Sequence, residues 1–228
     1  MNKSAGITGP LQRTTEWVGQ KGAQTLYYAE QQAARIGYPL NWSITINFSR
    51  LGIAPQNAGR AFAKIRSQRF APWVRRPSKR AQVHAAPPTY SYGFENCRDR
   101  QALEVDGEDH NIHVHWAIHV PLRRQRHLEG MLHRWITQIA RDPDWPIEAL
   151  HLVPITRTGD VARYPTKGAR PETAKHFGVP EEKIAPQGII IGQRTGTSRN
   201  IGPSARIRLD RKLGVSRKAN RRYGQKRV

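Results

Sequence analysis

Three short segments alternate apolar and polar residues, and together they confine the chain to a narrow set of folds. In "NWSITINF", Trp42, Ile44, Ile46 and Phe48 fall on one side and Ser43, Thr45 and Asn47 on the other. "TYSYGFEN" repeats the pattern, with Tyr90, Tyr92 and Phe94 against Ser91, Gly93 and Glu95. In "DGEDHNIHVHWAIHVP", Ile112, Val114, Trp116, Ile118 and Val120 share a face, and His113, His115 and His119 take the opposite one. A period of two is that of a half-buried strand. Strands with one apolar face bury those faces together in an antiparallel sheet covered by helices on a single side. The expectation is an α+β fold with a central antiparallel sheet and helices mainly on one face.

Helical spacing fills the gaps between these strands. Ala58, Ala61, Phe62 and Ile65 make one apolar stripe, bordered by Arg60, Lys64, Arg66 and Arg69. Leu128, Met131, Leu132, Trp135, Ile136 and Ile139 make a second, within residues 128–141, which reads as core. "APWVRRPSKRAQVHAAPP" reads as a proline-rich basic loop, and "ALHLVPI" as a short further strand. Residues 1–37 are polar with Leu26, Ala29, Ala33 and Ile36 at helical spacing, and read as a helical or partly disordered N-terminal extension. Residues 38–203 form the expected main domain. Residues 204–228 carry ten Lys and Arg against one acid, Asp210, and read as a basic C-terminal tail or frayed helix ordered mainly by a polyanion.

Charge narrows the partner. With 38 Lys and Arg against 17 Asp and Glu, the chain carries +21, and nucleic acid is the expected counter-charge. No run resembles a signal peptide or a membrane span, so no membrane partner is expected and the predicted location is cytoplasmic. Cys97 is the single cysteine, which leaves histidine and carboxylate to hold any metal.

On a strand, His113 and His115 project from the same face, and Glu95 has matching parity on the neighbouring alternating segment. Two imidazoles and a carboxylate suit a divalent ion that keeps positions open for a substrate oxygen. Asp109 and His110 are alternatives for the third ligand. A cupin-like reading lacks the glutamate it requires after the second histidine, and an amidohydrolase-type reading requires a barrel this chain is too short to build. Further on, "RYPTKG" sets Tyr164 and Lys167 one helical turn apart, with Pro165 acceptable in a first turn. A tyrosine there can attack a metal-polarised phosphodiester while the lysine offsets developing charge.

Taken in this order, "TINF", "FEN", "HVH" and "YPTKG" resemble the motifs of the HUH endonucleases, in particular the single-tyrosine rolling-circle replication initiators of plasmids and small single-stranded DNA genomes. The resemblance covers roughly residues 40 to 170. It implies a ferredoxin-like sheet, Mg²⁺ or Mn²⁺ held by Glu95, His113 and His115, and nicking of single-stranded or hairpin origin DNA. Tyr164 then forms a 5′-phosphotyrosine intermediate with Lys167 assisting, and the strand is later rejoined. No phosphate-loop motif occurs, so a host helicase and polymerase are implied partners. Arg206, Arg208, Arg211, Lys212, Arg217, Lys218, Arg221 and Arg222 are the expected phosphate contacts. Two other readings stand beside this one: a transposase or mobilisation relaxase of the same chemistry, and a non-catalytic basic nucleic-acid-binding protein.

Overall fold

The computed structural model describes residues 14–77, 84–96, 111–156, 168–177, 179–181, 184 and 187–215. Its strands are β1 (Thr14–Thr15), β2 (Trp42–Asn47), β3 (Tyr90–Asn96), β4 (Ile112–Ile118), β5 (Leu150–Pro154), β6 (Ile190–Ile191) and β7 (Thr195–Thr197). Its α-helices are α1 (Gln20–Arg35), α2 (Pro55–Ala63), α3 (Ala71–Arg75), α4 (Leu122–Thr137), α5 (Pro171–His176) and α6 (Pro203–Lys212), and a π-helical stretch, Lys64–Phe70, joins α2 to α3. Among the described residues, five strands form an antiparallel sheet in the order β5-β2-β4-β3-β7, and β1 pairs with β6 in a separate ribbon. The fold is α+β, as the alternating segments require.

Alternation decides which face packs. Ile44, Ile46, Val114, Trp116 and Ile118 are fully buried on one side of the sheet against the α2–α3 rod and α4. Burying a large apolar side chain stabilises by about 1.5–3 kcal/mol, so this layer dominates the fold. Phe62 of α2 meets the rings of Tyr92, Phe94 and Trp116 edge-on at 5.0, 5.5 and 5.4 Å. Residues 71–75, expected in a loop, instead continue the helix. Their buried Ala71 and Val74 and the edge-on contact of Trp73 with Trp135 of α4 (5.6 Å) outweigh the local proline signal. Pro72 lacks an N–H and crowds the carbonyl four residues back, and it falls where the wider π turns end. Helix α4 starts at Leu122, six residues before its apolar stripe.

The opposite face is not left wholly to water. Helix α1 lies on it, with Ala29 and Ala33 packed with Ala117, Leu40 and Ile201. Ala117 shares the parity of His113 and His115, so helices occupy both faces and the single-sided expectation needs this correction. The cause is residue size: where the polar face carries Ser43, Ser91 and Ala117, an alanine-faced helix can approach closely. Gly22 lets α1 reach β7, since a Cβ there would stand 2.9 Å from Thr195 Oγ1.

The segment after Ser204 begins as the ordered helix α6, docked on α1. Arg35 donates to Asp210 at 2.8 Å, and the Arg206 guanidinium sits 4.1 Å above the Tyr28 ring. Arg208, Arg211 and Lys212 are exposed, the last two in the final turn where the helix dipole favours cations. Arg217, Lys218, Arg221 and Arg222 lie outside the described residues. Asp210→Ala strands a partly exposed Arg35 and should lower stability by about 1–2 kcal/mol. A urea titration checks this; an unchanged midpoint would mean that the ion pair does not anchor α6.

Candidate metal centre

Register brings the three expected ligands together. His113 of β4 lies directly opposite Asn47 of β2 and Glu95 of β3, while His115 is opposite Thr45 and Gly93. Directly opposed and diagonal residues on one face of an antiparallel pair are within side-chain reach. Accordingly, His113 Nε2 and His115 Nε2 each stand 3.2 Å from Glu95 Oε2, and one ligand atom from each residue lies within 4.8 Å of the others. The side chains are 7, 13 and 15 % exposed for Glu95, His113 and His115, which leaves the cluster partly accessible.

The surroundings prepare these atoms to bind a cation. His113 Nδ1 is 3.1 Å from the Asn111 carbonyl, which can only accept, so Nδ1 carries a hydrogen and Nε2 is the ring atom turned to the cluster. His115 Nδ1 is held at 3.0 Å by Thr45 Oγ1. Asn47 Nδ2 donates to Asn111 Oδ1 at 2.6 Å and steadies that corner. Burial pushes the Glu95 carboxyl up, but hydrogen bonds and charge from His113 and His115 outweigh it and hold it at about 2. Glu95 is therefore ionised at neutral pH. Its contribution to stability is present above the ordinary 4.5 and lost as pH falls toward 2.

The donor set fits a divalent ion. A nitrogen lone pair and a carboxylate oxygen repel at 3.2 Å unless a proton or a cation lies between them. Two atoms each about 2.1–2.2 Å from one ion, at angles between octahedral and tetrahedral, are about 3.0–3.6 Å apart. Both observed His–Glu separations fall in that range. Thr45→Val keeps shape but removes the His115 partner, and should weaken Mn²⁺ binding about 10- to 100-fold. Calorimetry checks this, and unchanged affinity would show that the Thr45 contact does not orient the ring.

Other residues are placed apart from the cluster. His119, expected on the same face, lies past the end of β4, bonded through Nδ1 to the Pro39 carbonyl (2.8 Å) and edge-on to Tyr38. Asp109 and His110 lie outside the described residues, as do Tyr164 and Lys167. The described chain resumes at Gly168, whose carbonyl accepts from Val18 N–H at 2.7 Å. A Cβ on Gly168 would stand 2.7 Å from Gln187 Cγ, and the Gln187 carbonyl accepts from Asn96 N–H at 2.8 Å, one residue from Glu95. The chain just after Lys167 is thus tied to the strand that supplies the carboxylate. Sequence reasoning missed the supporting Thr45 and Asn111, and also His151 of β5, an exposed residue paired with Thr45 and so on the same face as the Glu95, His113 and His115 cluster. Thr45 and His151 were visible only as polar positions in alternating strands, which gave them no priority.

Comparison with protein families, curated proteins and solved structures finds no significant match to this chain. Among the described residues, no helix is long and apolar enough to cross a membrane.

Proposed function

We propose that the chain is a metal-dependent DNA-nicking and strand-joining protein of the HUH endonuclease type, initiating rolling-circle replication through a 5′-phosphotyrosine on Tyr164. The observation that carries the reading is the convergence of Glu95, His113 and His115 on the polar face of an antiparallel sheet. Connectivity supports it: strand, helix, strand, strand, helix, strand, with β4 between β2 and β3 and β5 outside β2, is the order that a split βαβ, ferredoxin-like arrangement would require. The tie of Gly168 to Gln187 and Asn96 supports it too. Tyr164 lies four positions before that anchor, and a chain covers at most about 14 Å over four steps.

Glu95, His113 and His115 would hold Mg²⁺ or Mn²⁺, which when bound polarises the scissile phosphate. In the proposed step the Tyr164 hydroxyl gives up its proton as its oxygen forms a bond to phosphorus, the bond from phosphorus to the 3′-oxygen breaks, and that oxygen takes up a proton as it leaves. Lys167 offsets charge on the phosphate oxygens. The new phosphodiester keeps the energy of the old one, so the reverse attack by a 3′-hydroxyl rejoins strands without another energy source. The exposed cations of α6 add sequence-independent attraction for the polyanion.

Incubation with a randomised single-stranded DNA pool and Mn²⁺, followed by denaturation, tests the proposal. Protein attached to 5′ ends that share one sequence is the expected outcome. Tight but wholly reversible binding would favour the non-catalytic reading. Adducts that resolve by joining to a second duplex would favour a transposase or relaxase.

A further inference from the structure

The metal-bearing face does not end at the three ligands. Along one row of the sheet His115 is opposite Gly93, and Gly93 is opposite Thr195 of β7, so His115 and Thr195 lie two strand spacings apart, about 10 Å. Thr195 lines a cleft of about 970 Å³ that also takes in Lys21, Gln193 and Trp17. A second cleft, of about 710 Å³, is lined by Trp17, Arg170, Glu172 and His176. The two share Thr15, Trp17, Gly19 and Gln20 as a common wall. Arg170 is also two residues beyond Gly168, where the chain leaves the Tyr164–Lys167 segment.

We propose that this double cleft is a base-reading subsite for the single strand being cut, a step that rests on the nickase reading. Gly93 is buried and α1 covers Thr195 at Gly22, so a strand leaving the metal ligands passes round the start of α1 into the larger cleft, where the exposed Lys21 and Gln193 meet its backbone. One base then stacks on the Trp17 indole, since every base offers a π face to an aromatic wall. Its edge enters the smaller cleft. There Arg170 donates to a base carbonyl or ring nitrogen, and the Glu172 carboxylate accepts from an exocyclic amino group. A mixed pair of donor and acceptor beside an aromatic wall suits a nucleobase, and an inorganic anion would gain nothing from Glu172. The subsite reads one nucleotide near the scissile phosphate.

The test selects a randomised single-stranded DNA pool twice. One selection uses reversible binding to Tyr164→Phe protein without metal, and the other uses covalent capture by the unaltered chain with Mn²⁺. Both are repeated with Trp17→Ala, Trp17→Phe, Arg170→Ala and Glu172→Gln. The expected result is one base position enriched about tenfold in the parent selections. That enrichment should vanish with Trp17→Ala, persist with Trp17→Phe, and shift to another base with Arg170→Ala or Glu172→Gln, while the remaining positions stay unchanged. The exposed positions 170 and 172 keep the test decisive should Trp17→Ala fail to fold. If all variants keep the parental preference, the subsite is overturned. If reversible selection shows the pattern but no adduct forms, the subsite stands and the nickase reading fails.

Discussion

Tyr164→Phe is expected to abolish covalent attachment of the protein to 5′ DNA ends, lowering nicking by at least about 10³-fold. The change removes one oxygen and no carbon, so the circular dichroism, the Mn²⁺ affinity and the affinity for single-stranded DNA should match those of the unaltered chain. Lys167→Ala should slow adduct formation by about 10- to 100-fold without preventing it, because a charge-offsetting group lowers the barrier but forms no bond. Should Tyr164→Phe protein still label, peptide mapping would identify the true attacking residue, with Tyr223 first to check.

The second large effect is expected from His113→Ala with His115→Ala. Two of three ligands disappear, so Mn²⁺ binding should fall by about 10³-fold or more and nicking should be lost. Binding to single-stranded DNA should change by less than about threefold, because Arg208, Arg211 and Lys212 keep their exposed positions. The double variant also takes from the buried Glu95 carboxylate its two imidazole partners, which costs about 1–3 kcal/mol. Adding Glu95→Gln removes that buried charge and should restore part of the melting temperature without restoring metal binding.

How far the centre was legible in the sequence follows from the period of the strands. Parity put Glu95, His113 and His115 on one face before any pairing was known, because a strand alternates strictly. Parity does not choose a row: whether Glu95 stands opposite His113 or several residues away is set by register, which long-range pairing decides. The same limit hid His151, whose relation to the site exists only through Thr45. Helix α1 was visible as a spacing of Leu26, Ala29, Ala33 and Ile36, but not its seat on the polar face. That seat depends on the small Ala117 and on Gly22 meeting Thr195. The composition after Ser204 pointed to a polyanion-ordered tail. The helix over Pro203–Lys212 is held on α1 by contacts that composition does not show, Asp210 reaching Arg35 175 residues back and Arg206 over the Tyr28 ring. Continuation of the helix into Ala71–Arg75 was masked by Pro72, because local breaker chemistry gave no sign of the burial that overrides it.

The claim on which the rest depends is that Glu95, His113 and His115 form one divalent metal centre. Anomalous diffraction from a crystal of the full chain grown with Mn²⁺ tests it most directly. A single strong manganese peak is expected about 2.0–2.3 Å from Nε2 of His113, Nε2 of His115 and a carboxylate oxygen of Glu95. No peak among these three side chains at saturating Mn²⁺, or a peak held by other residues while these imidazoles stay hydrogen-bonded to the carboxylate, would contradict it.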